Sequence, residues 1–134
     1  MTCILLTGSS RGIGAAAKSA LEARGAKVIG QATTSDRTDT VPADFSEPFA
    51  ARELWDAALA RAGGTIDVLV NNAGRFAASP LDASDMQWLD AWEDTLRINL
   101  TAAAQLSRFA VRHWQERGVP GRIVHVASRA GHRG

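Results

Sequence analysis

Residues 3–14 read Cys-Ile-Leu-Leu-Thr-Gly-Ser-Ser-Arg-Gly-Ile-Gly, an apolar run that breaks into a turn with glycines at 8, 12 and 14. An alanine-rich helical segment, Ile13 to Arg24, follows directly. Strand, glycine turn and helix in that order bring a helix N-terminus to the end of the strand. The unpaired N–H groups of a first helical turn, with the helix dipole behind them, attract anions, phosphates above all. Each glycine has its own task. Gly8 permits the tight turn, Gly12 lets the backbone approach a pyrophosphate, and Gly14 lets the helix lie close to the strand. Ser10, Arg11 and Ile13 complete the turn. The spacing is Gly-x-x-x-Gly-x-Gly rather than Gly-x-Gly-x-x-Gly, so the turn alone leaves open a glycine-rich connection with no ligand.

Further polar clusters follow other short apolar runs: Gln31-Ala32-Thr33-Thr34-Ser35, Asp44-Phe45, Asn71-Asn72-Ala73-Gly74 and Ala127-Ser128-Arg129. The elements that must position them alternate. Strands are expected at Cys3–Thr7, Lys27–Gly30, near Val41, at Ile66–Val70 and at Arg122–Ala127. Helices are expected at Ile13–Arg24, with Ile13, Ala17, Ala20 and Leu21 on one face, and at Glu47–Ala62, with Phe49, Leu54, Ala57, Ala58 and Arg61. A long helical stretch follows, Ser84 to Arg117, read as a short helix and then a longer one. In it Trp92, Leu96, Leu100, Ala103, Leu106, Ala110 and Trp114 recur at helical spacing. Gly25, Gly63-Gly64 and Gly118 with Pro120 mark the helix ends. Alternating strands and helices build βαβ units, hence an α/β fold with a doubly wound parallel sheet of the Rossmann type. Such sheets bind dinucleotides beyond the C-terminal ends of their strands, where every polar cluster of this chain falls.

Composition narrows the classes. A chain of 134 residues is about one domain, here 1–134. The net charge of +1, from 15 basic and 14 acidic residues, gives no nucleic-acid surface. The single cysteine, Cys3, forms no internal disulfide, which fits a reducing cytoplasm. No apolar run is long enough to span a bilayer, and no basic-then-apolar leader precedes the first strand. The expectation is a soluble, cytoplasmic protein without a membrane partner. His113, His125 and His132 make no metal-ligand spacing with Cys3 or a nearby carboxylate, so no metal is expected.

Together the motifs resemble those of the short-chain dehydrogenase/reductase family. Thr7-Gly8-Ser9-Ser10-Arg11-Gly12-Ile13-Gly14 matches its TGxxxGxG turn, and Asn71-Asn72-Ala73-Gly74 its NNAG motif. Asn99 in Arg97-Ile98-Asn99-Leu100 matches the helix asparagine, and Gly121 to Ser128 the strand ending in the active-site serine. The stretch Gly25 to Thr33 is similar to 3-oxoacyl-carrier-protein reductases. The resemblance implies a strand order of 3-2-1-4-5 and hydride transfer between a nicotinamide cofactor and a small carbonyl or alcohol substrate. It also implies a homo-oligomer in the full-length form. Gly8, Ser10, Arg11, Gly12, Ile13, Gly14, Thr33, Asp44, Phe45, Asn72, Ala73 and Gly74 would hold the cofactor, with Asp44 and Phe45 at the adenine ring. Asn99 would organise a water in a proton relay. Ser128 would hydrogen-bond the substrate oxygen.

The second strand leads into Ala32 and Thr33, where NAD enzymes of this fold carry an acid for the ribose 2′-hydroxyl. Neutral hydroxyls accept a 2′-phosphate, and Arg11 adds a charge-assisted bond, which favours NADP(H). The alternative, Asp36 folding back onto the ribose, favours NAD(H). Asp44 has an alternative role as a helix N-cap before Glu47. Asn99 follows Leu96 by three, which predicts the inward face of its helix, where a partner must satisfy it: the relay water, or a neighbouring backbone.

One departure limits the reading. The family's proton donor is the tyrosine of a Tyr-x-x-x-Lys pair after strand five, whereas this sequence contains no Tyr and ends at Gly134. The expectation is an N-terminal portion, truncated after strand five and inactive alone, with strand five left as a sheet edge. A non-catalytic dinucleotide-binding module or redox sensor is the alternative.

Overall fold

The computed structural model describes residues 1–133. Period-two alternation sorts strand β1 (Cys3–Leu6) between two layers: Cys3 and Leu5 enter one apolar cluster, Ile4 and Leu6 the other. Both faces are covered, as a parallel sheet requires. With β2 (Lys27–Ala32), β3 (Thr40–Pro42), β4 (Val68–Asn71) and β5 (Arg122–His125) it forms a five-stranded sheet in the order β3-β2-β1-β4-β5. Every pairing is parallel. The chain first steps outward from β1 to β3 and then returns to β1's other side. The direction of winding therefore switches between β1 and β4, the crevice where such sheets take ligands.

Helix α1 (Gly12–Glu22) covers one face, with Ala17 and Leu21 against Ile4, Leu6 and Val28. It stops because Gly25 takes φ +85°, which lets Ala26 N donate back to the Leu21 carbonyl at 3.1 Å. Helices α2 (Ala50–Ala62) and α4 (Ala102–Arg117) cover the other face, burying Leu54, Ala58, Leu106 and Ala110 completely or nearly so. Each large aliphatic side chain buried there contributes about 1.5–3 kcal/mol. Trp114 closes this layer. Its indole N–H donates to the Ile66 carbonyl at 2.7 Å, and a Cβ on Gly121 would stand 1.9 Å from its ring.

Helix α3 (Asp85–Leu96) starts on a capping box, in which the Ser84 hydroxyl accepts from Gln87 N and the Gln87 amide oxygen accepts from Ser84 N. A π-helical turn, Arg97–Thr101, joins it to α4. The short-then-long reading of this stretch holds, but its inward stripe does not. Trp92, Leu96 and Leu100 are 51%, 39% and 61% exposed, and α3 buries none of its residues. The half-buried positions are Ala91, Asp94, Thr95 and Ile98, on a neighbouring face, and they lead into the buried Ala102, Leu106, Ala110 and Trp114 of α4.

Smaller differences have local causes. α2 begins at Ala50 rather than Glu47 because residues 44–50 are spent on turns, Glu47 N to the Asp44 carbonyl and Ala50 N to the Glu47 carbonyl, leaving Phe49 exposed. β4 runs from Val68, and Asp67 just before it already bonds both neighbours, its N–H donating to the Cys3 carbonyl at 2.9 Å and its carbonyl accepting from Arg122 N at 3.1 Å, while its carboxylate accepts from Cys3 N at 2.7 Å. Ile13 is 70% exposed instead of facing inward with Ala17, because it belongs to the rim described next.

Candidate dinucleotide cleft

The turn after β1 is shaped by close approach. Gly14 lies so near the turn that a Cβ there would stand 1.9 Å from the Gly8 carbonyl oxygen. A Cβ on Gly8 would meet the Ala73 backbone at 2.8 Å. Gly12, at φ +55°, faces open space. Two glycines thus make room for the protein, and one leaves room for something else. The N-terminus of α1 that begins here has no side-chain cap and no acid in its first turn, unlike the boxed start of α3. Its first N–H groups are free for an anion.

Two side chains that the sequence reading passed over hold this turn. The Thr7 hydroxyl accepts from Asn72 N at 3.0 Å and Ala73 N at 2.9 Å, tying β1 to the loop after β4. Gln31, 3% exposed, accepts from Gly8 N at 2.8 Å through its amide oxygen and donates to the Ala43 carbonyl at 2.7 Å. Its own carbonyl receives Ser9 N at 2.9 Å and the Ser9 hydroxyl at 3.2 Å. One buried glutamine so fixes the loops after β1 and β3. The available signal was a long polar amide between Gly30 and Ala32 at the end of a buried strand, where an unpartnered amide is costly. Asn72 does similar work: its Nδ2 donates to the carbonyls of Thr7 at 3.0 Å and Gly8 at 3.1 Å.

The structure brings the expected cofactor-holding residues into one cleft of about 560 Å³: Gly8, Ser10, Arg11, Gly12, Ile13 and Gly14 from the turn, Thr33 after β2, Asp44 and Phe45 after β3, and Asn72, Ala73 and Gly74 after β4. Gln31, Arg75, Phe76 and Ile98 add to its wall. Asp44 is not a helix N-cap. Its carboxylate accepts from Ser46 N at 3.0 Å and the Ser46 hydroxyl at 2.7 Å, and these bonds hold it below the ordinary carboxylate value. The cleft therefore carries cations at Arg11 and Arg75, an acid at Asp44, and a row of hydroxyl and backbone donors.

Asn99 differs from its expected setting. It is exposed, on the π-helical turn, and bonds a neighbouring backbone: Oδ1 accepts from Arg75 N at 2.7 Å and Nδ2 donates to the Arg75 carbonyl at 2.8 Å. The side chain imitates a strand partner and pins the rim of the cleft, which Arg75 also secures through its ion pair with Asp94 at 3.2 Å. Ser128 is exposed beyond β5, outside the cleft wall, and its hydroxyl accepts from Ala130 N at 3.2 Å. His125 lies against Asn71, with its Nδ1 3.3 Å from the amide Nδ2, which also donates to the Ser107 hydroxyl at 3.2 Å. Among the described residues no group of three or more His, Cys, Asp or Glu could hold a metal ion. No helix among them is long and apolar enough to cross a membrane.

Known proteins show the same arrangement. Residues 2–134 match the family model described as short chain dehydrogenase. A 3beta-hydroxysteroid dehydrogenase of Eggerthella lenta is 31% identical over 93% of this chain and 52% of its own length. The solved 4-hydroxyisoleucine dehydrogenase complexed with NADH superposes with a TM-score of 0.86 at 27% identity, over 100% of this chain and 59% of that one. A blue fluorescent protein from a metagenomic library, solved in complex with NADPH, gives 0.80 at 30% identity, over 98% and 57%. This chain thus spans about half the length of the curated relatives it matches. On sequence and fold alike, the chain belongs to the short-chain dehydrogenase family.

Proposed function

We propose that the chain binds NADP(H) in preference to NAD(H), as the cofactor-holding part of an oxidoreductase. Such an enzyme moves a hydride between the cofactor's nicotinamide and a small carbonyl or alcohol compound. The observation that carries this reading is the uncapped N-terminus of α1, opening on the cleft beside the vacant side of Gly12. The free N–H groups would take the pyrophosphate, with Ser10 and the backbone of Asn72–Gly74 along the same wall. Asp44 and Phe45 would meet the adenine. The cofactor supplies the hydride; the protein supplies its placement.

The preference for a 2′-phosphate rests on charge. β2 ends at Ala32, and the cleft continues into Thr33 with no carboxylate there. Arg11 stands in the same wall, and Asp36 does not. Ser128 is proposed to donate to the substrate oxygen. Asn99, beyond its two bonds to Arg75, keeps capacity for one more donor and acceptor contact, which would serve a relay water. The 134 residues contain no tyrosine, and a missing general acid costs about 10²–10⁴ in rate. The chain by itself is therefore expected to bind cofactor without oxidising alcohols. A cytoplasmic setting and a homo-oligomeric full-length form belong to the same proposal. A second reading is a dinucleotide-binding module without catalysis, which the same cleft would serve.

Titration of the chain with NADPH and NADH, followed by nicotinamide fluorescence, tests the proposal. NADPH is expected to bind about tenfold more tightly, the scale of one charge-assisted contact. Arg11→Ala is expected to remove most of that difference while leaving NADH within about twofold. Equal affinities in the unaltered chain overturn the preference, and failure to bind either dinucleotide at millimolar concentration overturns the whole reading. Turnover of an alcohol panel by a longer form bearing a downstream Tyr-x-x-x-Lys would exclude the non-catalytic module.

A further inference from the structure

Lys18 is the charged residue buried among the described residues, 8% exposed at the middle of α1. Its Nζ donates to Asp39 Oδ2 at 2.8 Å and to the Glu22 carboxylate. The Asp39 carboxylate is a hub. It also receives Arg37 Nη2 at 2.9 Å, Arg37 Nε at 3.0 Å and the Thr40 hydroxyl at 3.0 Å. The Asp39 backbone carbonyl accepts from Gly30 N of β2 at 2.8 Å. From the opposite face of the sheet, Arg61 of α2 donates to the carbonyls of Thr38 at 3.1 Å and Thr40 at 2.8 Å.

These bonds all fall at one end of the segment that joins β2 to β3. Its other end, Thr33, is in the cleft wall. Between them lie Thr34, Ser35 and Asp36, with Arg37 N donating to the Ser35 hydroxyl at 3.1 Å. The path of this segment decides whether hydroxyls or the Asp36 carboxylate stands at the ribose. Lys18 is buried but the Asp39 side chain is 34% exposed, and a part-buried ion pair of this kind adds little to stability. Its value lies in fixing a geometry. Burial pulls the Lys18 ammonium down, but Asp39 and Glu22 outweigh it and hold it above its ordinary value, so the pair stays charged.

We propose that the Lys18–Asp39 pair positions residues 33–38 and thereby sets which dinucleotide the cleft prefers, an inference that rests on the dinucleotide reading above. Two effects act in the same direction. Without Lys18 the segment loses its anchor to α1, and Asp39 and Glu22 lose their shared counter-charge. The added negative potential opposes a 2′-phosphate more than a 2′-hydroxyl.

The test compares Lys18→Met and Asp39→Asn with the unaltered chain by two readouts. Titration with NADPH and NADH gives the ratio of their affinities, and limited trypsin digestion gives the rate of cleavage after Arg37. In Lys18→Met the ratio is expected to move about tenfold against NADPH, with cleavage at Arg37 about tenfold faster or more; in Asp39→Asn cleavage rises likewise, while the lost carboxylate offsets the lost anchor and the ratio moves less. Lys18→Arg is expected to restore much of both. In Lys18→Met, equal weakening of the two cofactors or an unchanged ratio, and in either variant unchanged cleavage, overturns the proposal. Should the buried variants fail to fold by circular dichroism, Arg37→Ala removes a surface contact to the same hub and is expected to shift the ratio about threefold in the same direction. No shift there overturns the proposal equally. A chain that binds neither cofactor refutes the dinucleotide reading, while the cleavage rate still reports on the anchor.

Discussion

Gly12 and Gly14 sit two residues apart and answer to opposite demands. A methyl on Gly14 has nowhere to go, with the Gly8 carbonyl at 1.9 Å, whereas one on Gly12 meets no protein atom within 4 Å. Gly14→Ala is expected to force the turn from the helix, lowering the melting temperature by several degrees and abolishing dinucleotide binding, since overpacking costs about 1–3 kcal/mol. Gly12→Ala costs only its positive φ, about 1 kcal/mol, and is expected to lower the melting temperature by less than Gly14→Ala does, while weakening binding. Melting curves and titrations of the two variants check this, and equal melting losses would refute it. The glycines were legible because each has a constraint written in its own identity. Thr7 and Gln31 were not, because their partners are backbone groups 65 and 23 residues away that only the folded sheet brings near. Asn99 was legible as a residue in need of a partner, and the partner it takes is the backbone of Arg75.

At the scale of elements, β1 and β2 were readable because burial on both faces makes them continuous apolar runs. The inward face of α3 was not, because Trp92, Leu96 and Leu100 share a helical face that the fold leaves exposed, while Ala91, Thr95 and Ile98 on the neighbouring face are half-buried. The seam between α2 and α4 carries a pH effect. His113 packs edge-on against Trp55, ring centroids 5.8 Å apart, and its Nε2 is buried without a partner among the described residues. Burial, and then the Arg117 charge, depress its pKa below the ordinary 6.5. The fold therefore holds the neutral ring. Below pH 6.5 the unfolded chain takes up a proton that the folded chain resists, so this contribution is present above 6.5 and is lost as pH falls. Asp39 and Asp44, both held below their ordinary 3.8, do not titrate in that window. The urea midpoint is expected to be lower near pH 5 than near pH 8, with the difference shrinking in His113→Gln. An identical difference in that variant would assign the effect elsewhere.

For the molecule as a whole, the uncovered surface matters most. Trp88 and Trp92 stack at 5.3 Å on α3 while remaining 41% and 51% exposed, with Leu89, Leu96 and Leu100 beside them. Val124 on the edge strand β5 is 43% exposed. Contiguous apolar surface of this kind drives association. The 134-residue chain is expected to sediment as concentration-dependent oligomers, with its tryptophan emission shifting blue as they form. A monomer at all concentrations with a sharp unfolding transition would contradict this. The clamp between Thr7 and the loop after β4 carries a different consequence, for the order of events in folding. Its bonds span 65 and 66 residues, so on a growing chain the glycine turn, which Gln31 can hold early, is tied to the opposite wall of the cleft only after Ala73 has been added. Closing so long a loop is entropically slow, which places completion of the cleft late, after α1 and α2 have formed. A dinucleotide would therefore find the whole wall of the cleft only once β4 has joined the sheet.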